Sequence, residues 1–226
     1  MRQIAEAVLR EMPRHRFQTT DGYSWQRLAE LVYEGRPVDL ARLAVDAAMG
    51  YEGSVSSLRD EAKNLLQAAV SSADSEERRE IFLKVIGPAL EQHPAILWKL
   101  DDLFNPYLLS LFDIDTVLGW LEENFDKRLP AVARSVAVHG EPLAEPARSI
   151  LVRHGSREEV RQILGSNYFT GGWSGSESAY IERKLEQLRN WTEDPDPNVR
   201  TWANELMELF EDRLYRTRLL EEEGPY

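Results

Sequence analysis

Ser176–Leu214 reads SESAYIERKLEQLRNWTEDPDPNVRTWANELMELFEDRL, and the fold turns on how this stretch is understood. Ile181, Leu185, Leu188 and Trp191 recur every three or four residues. After the break at Asp194-Pro195-Asp196-Pro197-Asn198, Val199, Ala203, Leu206, Phe210 and Leu214 do the same. That period predicts two amphipathic helices, each with one apolar stripe and a charged back. The break suits a helix start. Asp196 can accept from the first free N–H groups of the second helix, and Pro197 fits a first position that needs no N–H. So short a connection predicts an antiparallel hairpin.

Upstream, the same period returns. Ile4, Val8 and Leu9 mark a first helix ended by Pro13, and Arg14–Asp21 has no period and is expected to be loop. Trp25, Leu28, Leu31 and Val32 mark a second helix, and Val38–Met49 a third. Gly50–Gly53 is a turn signal, followed by a helix from Val55 to Ala73. Ser75 is expected to cap a helix that breaks or kinks at Gly87-Pro88. Further helices are expected from Asp115 or Thr116, from Leu129-Pro130, and over Pro142–His154. A capping box of Ser156 with Glu159 starts a short one through Leu164. No stretch alternates with period two, so the prediction is all-α.

Asp196–Leu206 contains Asp-Pro-Asn-Val-Arg-x-x-Ala-x-x-Leu, which is similar to the second helix of a HEAT repeat. The resemblance implies that Asp196 and Arg200 support the stacking of successive repeats while Val199 and Ala203 face the core. Two helix–turn–helix layouts, aligned on Ala62 and Ala147, lie 85 residues apart, close to two units of about 40–47 residues. The expectation is one domain over 1–226, an elongated stack of antiparallel helical hairpins (a HEAT-like α-solenoid), with a helical half at 1–112 and a HEAT-like half at 113–226. The run from Glu145-Pro146-Ala147-Arg148 through Tyr168–Gly175 to Asp194–Leu214 also resembles the C-terminal helical-repeat tails of large bacterial multidomain proteins associated with anti-phage defence. It implies the tail of such a protein or a stand-alone relative.

Composition narrows the functional classes. The chain has no cysteine, which excludes disulfides and thiolate metal sites. Its formal net charge is −12, while residues 1–50 hold seven Arg against seven Asp and Glu, so the whole excess lies downstream. Such a surface repels phosphates and anionic lipid and favours a protein partner with a basic surface. Neither a membrane span nor the apolar core of a signal peptide is visible, so the cytoplasm is expected. A second reading, a nucleic-acid-associated accessory subunit, rests on the Arg-rich start at Arg2, Arg10, Arg14 and Arg16.

Candidate chemistry is sparse. Asp194, Asp196, Asn198 and Glu205 fall at positions 1, 3, 5 and 12 of a calcium loop, yet the glycine position is Val199 and prolines interrupt it. His15, His93, His139 and His154 have no paired spacing, and no metal or cofactor is expected. Asp101/Asp102, Asp113/Asp115 and Glu122/Glu123 are acidic neighbours of the kind an acid–base pair needs, but solvated helix faces or caps account for them. Gly172-Trp173-Ser174-Gly175 lacks the spacing and the strand of a nucleophile elbow. Ala95–Leu111 is apolar all round, which fits an enclosed element or a binding groove, and an enzyme would use a site near 98–115. No catalytic residue is assigned. The remaining feature is Gly165–Gly175, expected to be a loop. Its Tyr168, Phe169 and Trp173 either fold back to seal the hairpin or anchor a partner. The function expected is a non-catalytic protein-binding or assembly module, an accessory or sensor subunit of a larger bacterial complex.

Overall fold

The computed structural model describes residues 2–14, 19–49, 56–92, 108–136, 138, 140, 143–169 and 174–223. Among these, every regular element is helical, as the period-3.6 pattern predicts. The chain divides into two compact units, Met1–Ser135 and Val136–Tyr226. The sequence sets its two halves at 112/113, and the helices over 114–134 pack within the first unit.

In the first unit, α1 (Arg2–Glu11) leads through a 3-10 turn (Met12–Arg14) to α2 (Thr19–Val32), α3 (Pro37–Met49) and α4 (Ser56–Ser72). α2 therefore starts at Thr19, inside the stretch expected to be loop. α3 has Pro37 at its first position and buries Leu40, Ala41, Leu43, Ala44, Val45, Ala47 and Ala48. Its small side chains let α4 approach with Ala62, Leu65, Leu66 and Ala69, all fully enclosed. Trp25 closes the α1 end, its Nε1 donating to the Leu9 carbonyl at 2.9 Å.

α5 (Ser75–Ile81) is capped by Asp74, not Ser75. The Asp74 carboxylate accepts from the Glu77 amide at 2.9 Å, and the Glu77 carboxylate from the Asp74 amide at 3.0 Å. At Gly87-Pro88, where the sequence predicts a break or kink, the helix is distorted but continuous. A π-helical turn (Phe82–Ile86) carries the chain directly into α6 (Gly87–Gln92). A 3-10 turn (Leu108–Leu111) precedes α7 (Ile114–Glu123), where Asp113 accepts from the Thr116 amide at 2.9 Å. α8 (Phe125–Arg134) begins after Asn124, whose φ of −150° and ψ of 64° interrupt the helix. The expected restart at Leu129-Pro130 thus comes earlier, and Pro130 lies inside α8.

The second unit holds α9 (Glu145–His154), α10 (Glu158–Phe169), α11 (Glu177–Trp191) and α12 (Pro197–Glu223). The expected hairpin forms. Asp196 Oδ1 accepts from the amides of Asn198 and Val199 at 2.9 and 3.3 Å. Trp191, at the end of α11, stacks on Trp202 near the start of α12 with centroids 5.6 Å apart. Glu177, at the start of α11, meets Arg213. The two helices therefore pass in opposite senses. Arg200 turns back to the carbonyls of Asp194 and Pro195 at 2.7 and 2.8 Å. The ties to α9 come instead from Asp194, bound by Arg148, and from Asn198, which donates to the Val152 carbonyl at 3.1 Å.

Candidate functional site

The π-turn builds a cleft. The Gly87 amide donates five residues back, to the Phe82 carbonyl, and Pro88 has no amide to donate. The inserted residue sets Pro88, five after Leu83, where an α-helix would bring residue 87. Leu83, Pro88, Glu91 and Gln92 then line one wall of a cavity of about 480 Å³, and Trp120, Glu123, Lys127 and Arg128 line the other. Gly87 fixes how closely the walls meet. A Cβ there would stand 2.8 Å from Trp120 Nε1, so the indole rests against bare backbone. Phe82 meets Trp120 edge-on at 5.6 Å, which holds the ring from the core side.

Charge completes the site. The Arg128 guanidinium lies 4.4 Å from the Trp120 ring centroid. It donates to Glu91 at 2.8 Å, to Glu123 at 3.0 Å and to the Trp120 carbonyl. Lys127 adds a bond to Glu91 at 2.7 Å. Hydrogen bonds from Lys127 and then Arg128 hold the Glu91 carboxyl below its ordinary pKa. Burial works against the charged Arg128, but its bonds to Glu123 and Glu91 outweigh this and raise its pKa. Glu91 and Arg128 are thus locked in their charged forms. The network ties α6 to α8 across the cleft, with the Arg128 guanidinium covering the Trp120 ring.

Tyr168 is not on a loop. α10 runs through Gly165 to Phe169, and Tyr168 is fully buried between Trp191, Trp202 and Phe210, with centroids 5.4, 6.2 and 5.4 Å away. Its hydroxyl donates to the Lys184 carbonyl at 2.8 Å and lies 3.0 Å from Gln187 Oε1. This is the sealing role, and it leaves Tyr168 no surface for a partner. Lys184 Nζ sits 4.1 Å from the same ring, and burial lowers its pKa to about 8. The Phe169 side chain and Trp173 lie outside the described residues. So do Trp98, Asp101, Asp102, His15, His93 and the side chains of Arg14 and Arg16.

No protein-family model, curated protein or solved structure matches the chain. Its own geometry carries the functional argument.

Several other sequence candidates have structural partners. Asp194 binds Arg148, Asp196 caps α12, Asn198 ties to α9, and Glu205 accepts from Arg161 at 2.8 Å. Asp113 caps α7. No group of metal-binding side chains occurs among the described residues, and no described helix is long and apolar enough to cross a membrane. Arg2 donates to the Val32 carbonyl at 3.0 Å, while Arg10 lines a second, smaller cavity. The sequence reading passes over Trp120, Lys127 and Arg128. The one local signal was Gly87-Pro88 within an otherwise helical run, which marks a distorted helix and hence a place for a cleft.

Proposed function

We propose that the chain is a non-catalytic protein-binding module of HEAT-like helical hairpins, and that its partner seats in the cleft at α6, α7 and α8. One observation carries this reading: the cleft has Trp120, Arg128, Leu83 and Pro88 inside and the exposed charges of Lys127 and Glu123 at its edge. Apolar Leu83 and Pro88 beside an arginine, with charges at the rim, are a composition that supports an interface. The acidic balance favours a partner with a basic surface: Met1–Ser135 holds 22 Asp and Glu against 16 Lys and Arg, and Val136–Tyr226 holds 17 against 11. The likeness of 145–214 to the tails of bacterial defence proteins supports a role as an accessory subunit in the cytoplasm.

The test is affinity capture on the intact chain, with and without nuclease, beside Leu83→Ala and Gln92→Arg. A stoichiometric protein is expected to survive nuclease, to weaken with added salt and to be lost from both variants at unchanged helical content. A protein captured equally by the variants would move the interface elsewhere. Loss on nuclease treatment would favour the nucleic-acid-associated reading.

A further inference from the structure

Away from the cleft, α1 and α2 share an outer seam. Arg2 donates to the Val32 carbonyl at 3.0 Å and Trp25 Nε1 to the Leu9 carbonyl at 2.9 Å, so the start of α1 lies beside the end of α2 and the two run antiparallel. Each helix turns one flank to another neighbour. On α1, Glu6 binds Arg36 at 2.6 Å, at the entry to α3. On α2, Gln26 accepts from Asn64 of α4 at 3.4 Å. Residues two apart on an α-helix point about 200° away from each other. Ile4 and Val8 therefore lie across α1 from Glu6, and Leu28 lies across α2 from Gln26. Those two flanks border the seam from either side, and Leu31, one turn after Leu28, extends the strip.

The four side chains are apolar yet open to water. Ile4 is 70% exposed, Val8 46%, Leu28 36% and Leu31 67%. Leu9, Trp25 and Ala29 beneath them are already fully enclosed, so the strip is not needed to close this unit's own core. Single apolar residues on a surface need no explanation, whereas a contiguous group spread over two packed helices marks an interaction site.

Charge selects the occupant. The ionic groups bordering the strip are paired within the chain, Arg2 with Glu6 at 3.7 Å and Arg27 with Glu30. Residues 1–50 carry no net charge, and the rest of the chain carries the whole −12. A basic partner finds nothing to neutralise here. Two copies of the chain repel one another over their acidic remainder, but on this face they meet without opposing like charges. An antiparallel helix pair laid on its own copy about a two-fold axis makes a four-helix packing. We infer that this face is a self-association surface, on which a second copy of the chain seats its own α1 and α2. Size sets the strength. With 10 and 14 residues, α1 and α2 are about 15 and 21 Å long and give a face of roughly 400 Å² or less in outline. Stable interfaces bury about 800 Å² on each partner, so the dimer is weak and reversible.

The experiment is sedimentation velocity on the full chain from about 1 μM to about 1 mM, with circular dichroism on each variant. The wild type should pass from monomer to dimer over that range. Added salt should favour the dimer, because it screens the repulsion between two chains of charge −12. That sign separates this surface from the cleft, whose basic partner is expected to weaken with salt. Ile4→Glu and Leu31→Glu, both at exposed positions, should keep their helical content and each weaken the dimer by about tenfold or more. Leu209→Glu, at a comparably exposed leucine of α12, should leave it unchanged. A monomer at every concentration would overturn the inference, and so would a dimer indifferent to both substitutions in α1 and α2. A monomer that binds neutral phosphatidylcholine vesicles, and loses them on Leu31→Glu, would overturn it in favour of a lipid-facing surface.

Discussion

Arg148 donates to both carboxylate oxygens of Asp194, at 3.0 and 3.1 Å, and so joins α9 to the turn between α11 and α12. Asp194 is mostly enclosed, and one of its oxygens also accepts from the Asp196 amide at 2.9 Å. Burial alone would raise its pKa. Arg148 and the Asp196 amide outweigh burial and hold it below the ordinary 3.8. A depressed carboxyl stabilises the fold above its unfolded pKa, and that contribution is lost as pH falls through the folded value. Asp194→Asn removes one partner of a charged pair, so it should cost about 2 kcal/mol at neutral pH. In urea titrations the gap between wild type and variant should stay level down to about pH 5 and close as acid protonates the wild-type carboxylate. A gap that persists into strong acid would mean that geometry, not charge, is what the variant loses.

At the level of elements, two glycines in helical context give opposite forecasts for the same substitution. Gly119 in α7 has nothing within 4 Å of an added Cβ, so Gly119→Ala should stabilise by about 0.5–1 kcal/mol through backbone entropy. Gly87→Ala gains the same propensity but drives a methyl to 2.8 Å from the Trp120 indole. Trp120 is 4% exposed and flanked by Phe82 and Arg128, so it cannot yield. Overpacking of this kind costs about 1–3 kcal/mol, and the net sign should be destabilising. Thermal melts of the two variants check it. Equal stabilisation by both would show that the indole does not rest on the helix. The same contacts explain what the sequence could and could not reveal. α11 and α12 were legible because Ile181, Leu185, Leu188 and Trp191 keep a strict helical stripe and Asp196-Pro197 starts a helix by local chemistry alone. The sequence predicts a loop from Gly165, whereas this glycine sits in α10, where Leu206 Cδ2 approaches to 3.0 Å of the place its Cβ would take. A glycine chosen for close packing and one chosen for a turn look alike in sequence. The π-turn was hidden for a related reason, because one extra residue per turn leaves the composition of Phe82–Ile86 that of any buried helix. The cleft depends on that turn, so its lining residues, drawn from 83 to 128, could not be assembled from spacing.

Each of the two units buries a core. Trp25, Leu65, Phe82 and Leu121 are enclosed within Met1–Ser135, and Tyr168, Trp191, Trp202 and Phe210 within Val136–Tyr226. Ion pairs join elements inside each unit: Lys127 and Arg128 on Glu91 in the first, Arg148 on Asp194 and Arg161 on Glu205 in the second. Burying each large aromatic contributes about 1.5–3 kcal/mol, so four in the smaller unit give it a core of its own. The fragments 1–135 and 136–226, made separately, should therefore each show helical circular dichroism and a cooperative melt. In the intact chain, Asp194→Asn should lower only the transition sensed by the Trp191–Trp202 pair, and Gly87→Ala only the transition of the first unit. The double variant should show the two shifts added, within about 0.5 kcal/mol. A single transition displaced by either substitution would mean that the units share their stability, and neither fragment would then be expected to fold alone.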